Sequence, residues 1–407
     1  MKRYDSYKDS GIKWIGKIPK HWTVGKIKYS DLVIMGQSPL SDECNSEGKG
    51  LPFLQGNAEF GELYPNPKMY CETPNKTAEI NDVLLSVRAP VGAINISNQK
   101  VGIGRGLCAV RPMKSNNKFI FYWLLNSVEE LESISTGSTF KAVNLDDVKS
   151  LNFPIISNIE QTAIANYLDQ KTTQIDDLIA KKERLIQLLE EERTAIINQA
   201  VTKGLDPTVP MKDSGIEWLG EIPAHWELKR MRYLCEITTG GRDTENREDD
   251  GLYPFYVRSQ TVERISSYSF DGEAILTAGD GVGVCKVWHY VNEKFDFHQR
   301  VYMMCNFQQV LGKYLFYYLK ENFGKEVMKL SAKSTVDSLR RPMFQNFLVC
   351  FGSTDEQKQI VLKIEREENR IQTIISKTQQ EIELLKEYKT AVISEVVTGK
   401  VDVRNEK

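Results

Sequence analysis

KDSGIKWIGKIPKHW at residues 8–22 returns as KDSGIEWLGEIPAHW at residues 212–226, a constant offset of 204. Chance does not produce a match of that length, so the chain is written twice, and the duplication decides its architecture. A second pair of segments repeats at an offset of 196. Glu160-Gln161 opens a helical run ending near Thr202-Lys203-Gly204, and Glu356-Gln357 opens one ending at Thr398-Gly399-Lys400. Between these ends, stretches 23–158 and 227–354 resemble each other only in outline. Each carries a strand followed by Val-Gly (Val83 to Gly92, Ala274 to Gly283), an aromatic helix (Phe119 to Leu125, Tyr314 to Leu319) and a Ser/Thr/Lys turn (Ser135 to Lys141, Ser331 to Asp337). Kept ends with divergent middles imply common attachments around different domains.

The two helical runs have explicit starts. Asn158 and Thr354 stand three residues before Gln161 and Gln357, the spacing of a capping box, with the side chain accepting from the third amide and the glutamine reaching back. Along the first run Leu168, Ile175, Leu178, Ile179, Leu185, Ile186, Leu189 and Ile196 recur at helical steps. Along the second, Ile360, Ile364, Ile371, Ile374, Ile375, Ile382, Leu385 and Val392 do the same. A helix of this length is a rod of roughly 60 Å, more than one globular core covers, so the two apolar stripes are expected to cover each other. Because each helix follows an equivalent domain, the economical pairing is antiparallel about an approximate two-fold axis. The alternative is that each helix is a surface element of its own domain.

The expected architecture is therefore α+β: two α/β domains separated by two long helices in an antiparallel coiled coil. The boundaries read as an attachment segment 1–22, a domain 23–158, a spacer helix 159–204, a linker with the repeated attachment 205–226, a domain 227–354, a second spacer helix 355–400 and a tail 401–407.

Composition narrows the function less. With 53 Lys and Arg against 55 Asp and Glu, the net charge of −2 offers no overall basic surface to attract phosphate. The start, MKRYDSYKDSGIKW, has no apolar stretch behind it to act as a secretory core or bilayer span, so a cytoplasmic location without membrane contact is expected. The 7 cysteines are scattered and never form a CxxC pair, and read as reduced, mostly buried residues.

Several motifs mislead. Gly11 to Lys17 has P-loop spacing, but Ile18 replaces the Ser or Thr that holds magnesium and the second copy has Glu221 for the lysine, so an apolar segment packing against the helices is the better reading. Gly102-Ile103-Gly104-Arg105-Gly106 is followed by a strand-like run rather than a helix that could offer its amino end to phosphate, and reads as a turn between strands. Gly279 to Gly283 reads likewise as a turn. No Asn-Pro-Pro-aromatic motif of an adenine methyltransferase and no Pro-Asp with a downstream Glu-x-Lys of a nuclease is present, and four histidines offer little for acid–base work. No catalytic residue and no metal site is expected.

The GIKWIGKIP and GIEWLGEIP segments, the Glu-Gln helix openings, and the closing runs TAIINQAVT and TAVISEVVTGK together resemble the specificity subunits of Type I restriction–modification systems, over the whole chain. The resemblance implies two target recognition domains, each reading one half of an interrupted double-stranded DNA site, with the helices setting the spacing. It further implies two methyltransferase subunits, which carry S-adenosylmethionine, and two ATP- and magnesium-using restriction subunits as partners, with no cofactor and no chemistry in this chain. Partner docking is assigned to the repeated Trp14, Ile15 and Ile18 and to Trp218, Leu219 and Ile222.

DNA contact must rest on local patches, since 23–158 holds 13 basic against 14 acidic residues and 227–354 holds 17 against 16. In the first domain Arg88, Arg105, Ser138, Thr139 and Lys141 combine guanidinium groups for guanine or phosphate with hydroxyls for the backbone. In the second, Arg258, Ser259, Gln260, His298, Gln299, Arg300, Lys333, Ser334 and Thr335 do so, the glutamine amides suiting adenine. Gly104-Arg105-Gly106 stands where Gln299-Arg300 occurs in the second domain. A different class of function, a coiled-coil scaffold that holds protein partners without reading DNA, fits duplication and coil alone.

Overall fold

In the computed structural model residues 2–40, 43–135, 142–330 and 338–404 are described. They fall into two compact units, 1–181 with 380–407, and 182–379. Both long helices are present, Asn158–Lys203 and Thr354–Val397, and each starts in one unit and ends in the other.

In the first unit the hairpin Tyr7–Asp9 with Lys17–Pro19 contains the repeated segment, and its tight loop makes the P-loop-like spacing a turn. Strand Thr23–Lys26 pairs antiparallel with Asn152–Ile155, so the chain enters and leaves the domain side by side. Between them lie a four-stranded sheet, in the order Ile94–Ile96, Val83–Ser86, Leu107–Arg111, Leu32–Met35, and a five-stranded sheet centred on Leu51–Leu54 and Val101–Ile103. Helix Asn117–Asn126 buries Phe119, Ile120, Trp123 and Leu124 in one core with Trp22, Phe153 and Leu168 of the first long helix and Val396 and Val397 of the second. Asp176 pairs with Lys389 at 2.7 Å, and Gly399 packs against Trp22, whose indole bonds Glu160. Rising numbers on one helix thus meet falling numbers on the other, the antiparallel pairing expected.

In the second unit the same frame recurs. Hairpin Met211–Asp213 with Glu221–Pro223 precedes strand Glu227–Arg230, which pairs with Leu348–Phe351. The sheet is single and six-stranded, in the order Glu236–Thr239, Val301–Cys305, Phe270–Ala278, Trp288–Phe297, Tyr253–Tyr256, Glu263–Ile265. It stays one sheet because Trp288–Phe297 runs unbroken for 10 residues, pairing with Phe270–Ala278 along its length and with Tyr253–Tyr256 at its end. In the first unit the strands Ile94–Ile96 and Val101–Ile103 at this place are separate, and the sheet divides. Leu189 shares a core with Ile371 and Ile375, Glu192 pairs with Arg370 at 2.8 Å, and Gly204 abuts Glu356, again antiparallel. The stripes are not covered throughout: Leu178 and Leu185 keep 43% and 42% exposure.

The helix starts correct the expected capping box. The caps are Ser157 and Ser353, whose hydroxyls accept from the Glu160 and Glu356 amides at 3.2 and 3.3 Å. Asn158 and Thr354 already lie within the helices. The Glu-Gln pair has other work. Glu160 accepts from Trp22 Nε1 at 3.0 Å and Tyr4 Oη at 2.8 Å and meets His21 at 3.0 Å, while Glu356 accepts from Trp226 Nε1 at 2.8 Å and meets His225 at 3.1 Å. Gln161 and Gln357 accept from the Asn116 and Leu311 amides, each at 2.8 Å, just before the aromatic helices. Each pair therefore pins an attachment segment with its acid and a domain with its amide, which is why both ends of each middle recur. A buried carboxylate is tolerated because its oxygens are satisfied in this way.

Among the described residues no helix is long and apolar enough to cross a membrane. All seven cysteines are free, five of them buried.

Candidate nucleic-acid interface

In the first unit Leu51–Leu54 and Val101–Ile103 run parallel, Leu54 opposite Ile103, so the segments that follow them emerge side by side. The amides of Gly104 and Gly106 bond the carbonyls of Leu54 and Gln55 at 2.8 and 3.1 Å, clamping the two segments together. Gly36 lies against the carbonyls of Ile103, Gly104 and Leu107, where a Cβ has no room, and this close approach brings Ser38 over the site. Ser38 Oγ accepts from Gln55 Nε2 at 2.8 Å. Arg88, which follows Val83–Ser86, completes an open hollow lined also by Gln55, Asn57, Glu59 and Arg105. The structure thus brings the two sequence-chosen arginines of this domain together, both exposed, and neither guanidinium has a hydrogen-bond or ion-pair partner among the described residues. Ser138, Thr139 and Lys141 lie outside the described residues.

The second unit builds a hollow at the corresponding place. Tyr253–Tyr256 runs parallel to Trp288–Phe297, Tyr256 opposite Phe297, and the His298 amide bonds the Tyr256 carbonyl at 2.9 Å. Gly240 lies against the Phe297 and His298 carbonyls as Gly36 does in the first unit, and leads into Arg242 and Asp243. Arg242 Nε reaches the buried Asp296 at 3.2 Å, and Ser269 Oγ donates to the same carboxylate at 2.7 Å. Gln299 Nε2 donates to Asp243 at 2.6 Å. Arg258 Nη1 donates to Asp280 Oδ1 at 3.0 Å, and Arg300 Nη1 lies 3.7 Å from Asp280 Oδ2. Arg258, Ser259, Asp280 and Gly281 to Gly283 line the hollow, with Val282 at its rim 91% exposed.

Of the residues chosen in this domain, Arg258, His298, Gln299 and Arg300 are gathered through Asp280 and Asp243. Ser259 donates to the Thr261 carbonyl at 2.9 Å, and Gln260 is exposed nearby. His298 is a correction, since it is only 3% exposed and its Nδ1 accepts from the Arg300 amide at 2.9 Å. Burial and the Arg258 charge hold its pKa below the usual range, so the neutral ring supports the turn that presents Gln299 and Arg300. Lys333, Ser334 and Thr335 lie outside the described residues. Sequence reading missed Asp280, Asp243, Arg242, Gln55 and Ser38. The one available signal was that Asp280 stands inside a Gly-Asp-Gly turn directly after a buried strand.

The attachment residues also need correction as a docking surface. Ile15 and Ile18 are 2% exposed in the core of the first unit, and Leu219 and Ile222 are 5% and 0% exposed in that of the second. Lys400 Nζ donates to the Ile15 carbonyl at 2.8 Å and Lys203 Nζ to the Leu219 carbonyl at 3.0 Å, fastening each segment to the end of a long helix. Only Trp14, tilted on Trp123, and Trp218, stacked on Phe347, keep substantial surface among these six.

The chain is 42% identical over 204 residues to a Methanocaldococcus jannaschii protein named as the specificity subunit of type I restriction enzyme MjaX, covering 49% of this chain and 46% of that one. It is 27% identical to the specificity subunit of the Escherichia coli type I restriction enzyme EcoDI, covering 45% of this chain and 40% of that one. The chain thus spans about half the length of these curated relatives. A solved chain from work on complex assembly and conformational transition of the type I R-M system shares the fold, with a TM-score of 0.74 at 14% identity, covering 94% of this chain and 99% of that one. The family model for the type I restriction modification DNA specificity domain matches twice, at residues 19–189 and 223–384. Each match takes in one hollow with its surrounding frame, and the chain belongs to the type I restriction modification DNA specificity family.

Proposed function

We propose that this chain is the DNA-sequence-reading subunit of a type I restriction–modification complex and carries out no chemistry itself. The observation that supports this best is a hollow in each domain, lined in the first by the exposed Arg88 and Arg105 and in the second by Arg258, which Asp280 holds together with the neighbouring Arg300. Guanidinium and amide groups match the donor and acceptor pattern of base edges in the major groove. Domain 23–158 reads one half of a bipartite site and domain 227–354 the other. The helices that run on from one unit into the next set the gap between the halves. Two methyltransferase subunits, which bring S-adenosylmethionine, and two restriction subunits, which bring ATP and magnesium, supply the reactions, in the cytoplasm. Docking of the methyltransferase subunits would use Trp14 and Trp218 with the helix surfaces, including Leu178 and Leu185. The test is to map modified adenines in host DNA with and without this gene. A gapped, two-part motif that disappears with the gene is expected, and an unchanged modification pattern would favour the coiled-coil scaffold.

A further inference from the structure

Arg258 and Arg300 come from segments 42 residues apart, yet each meets a different oxygen of one carboxylate, that of Asp280. The side chain of Asp280 is 21% exposed, against 47% and 64% for the two arginines, so the acid lies beneath and the guanidinium groups face outward. The backbone around Asp280 is held on both sides: the Gly279 amide bonds the Arg300 carbonyl at 2.7 Å, the Leu339 amide bonds the Gly279 carbonyl at 2.6 Å, and Asp280 itself bridges Ser338. We propose that Asp280 is a positioning residue, fixing Arg258 and Arg300 in the orientation in which they read guanine edges in the half-site of the second domain. The proposal rests on the DNA-reading function above.

The charge arithmetic favours bases over phosphate. A phosphate contact is served by net positive charge on mobile side chains, and Asp280 cancels one of the two charges here. A bidentate contact to guanine O6 and N7 is instead served by a guanidinium whose plane is fixed, and a carboxylate on one edge leaves the remaining donors directed outward. The first domain lacks the device. Arg88 stands in the place of Asp280, two residues beyond its strand and bridging Ala142 as Asp280 bridges Ser338, and Arg88 and Arg105 have no carboxylate partner among the described residues.

The experiment selects bound duplexes from a random library with the full chain co-expressed with a methyltransferase partner, comparing wild type with Asp280→Asn and Arg300→Lys. The asparagine keeps the shape and removes the charge that aligns the arginines, and the lysine keeps the charge and removes the fork. Both variants should lose roughly 5- to 150-fold of guanine preference in one half-site while the other half-site is read as before. Replacing those guanines with 7-deazaguanine should weaken the wild type and leave Asp280→Asn little changed. Retention of the first half-site shows that the variants are folded. If Asp280→Asn binds all sequences more tightly, with a steeper salt dependence and unchanged base preference, the arginines grip phosphate and the proposal fails. A wild type that reads two half-sites with no guanine in the second sinks this proposal alone, and one with no sequence preference sinks the DNA-reading function as well.

Discussion

The two hollows open where the chain leaves equivalent strands, Leu51–Leu54 and Tyr253–Tyr256, yet the arginines at them are held in opposite ways. In the first, Arg88 and Arg105 stand without a charged partner among the described residues, beside a Gln55–Ser38 pair. In the second, Arg258 and Arg300 share Asp280, and Gln299 leans on Asp243. A shared frame with differently wired contents separates what keeps the domains folded from what makes each one selective. The frame is the attachment tryptophan, the helix-opening acid and the paired entry and exit strands, present in both units. Selectivity lies in loops that the frame brings together without dictating their chemistry.

The frame is tested by the largest change. Trp22→Ala and Trp226→Ala each remove a fully buried indole and leave a cavity, at a cost of about 3–5 kcal/mol. Denaturant unfolding should show comparable losses for the two, since the residues occupy equivalent places. A loss confined to one of them would break the equivalence of the units.

The contents are tested next. Arg300→Ala should cost about 1–3 kcal/mol of discrimination in the second half-site, measured by competition binding. Arg105→Ala should cost less in the first, because an unanchored arginine gives back part of its contact energy in ordering. Equal effects would mean that Asp280 adds nothing.

A smaller effect returns to the frame. In denaturant unfolding Glu160→Gln should destabilise by about 1 kcal/mol more than Glu356→Gln, because Glu160 also accepts from Tyr4 while position 208 in the second copy is Thr208. The Tyr4 hydroxyl, buried against that carboxylate, has its pKa raised, so it stays a donor at neutral pH.

The smallest effect is a pH dependence carried by His298 of the second unit. His298 is depressed in the fold, so the unfolded chain takes up the proton first as pH falls below its ordinary value near 6.5. The stability it contributes is full above that value and declines as pH drops toward the folded pKa. A His298→Gln variant should flatten this part of the stability curve, and an unchanged slope would show that the ring is not held neutral by its surroundings.

How much of this was legible beforehand follows the range of the interactions involved. The duplication, the long helices and the strands at Val83–Ser86 and Phe270–Ala278 are local patterns and stood in the sequence. The helix caps were misplaced by one residue although Ser157-x-x-Glu160 and Ser353-x-x-Glu356 also have capping spacing, because serine followed by asparagine or threonine offers two adjacent caps. The role of the Glu-Gln pair could not be read, since Glu160 works with Trp22 across 138 residues. Ile15 and Ile18 looked available to a partner for the same reason, since their cover comes from the far end of the chain. Asp280 and Asp243 were hidden because an ion pair between strand-end loops depends on the register of the sheet, which no spacing along the chain reports.

The claim that the two domains are independent readers on a common frame is tested most directly by exchanging block 23–158 for the same block of another family member and mapping methylated adenines in cells that supply the partner subunits. The account predicts a bipartite site in which one half is new while the other half and the gap are unchanged. A site in which both halves change, in a chain shown to be folded, would contradict it.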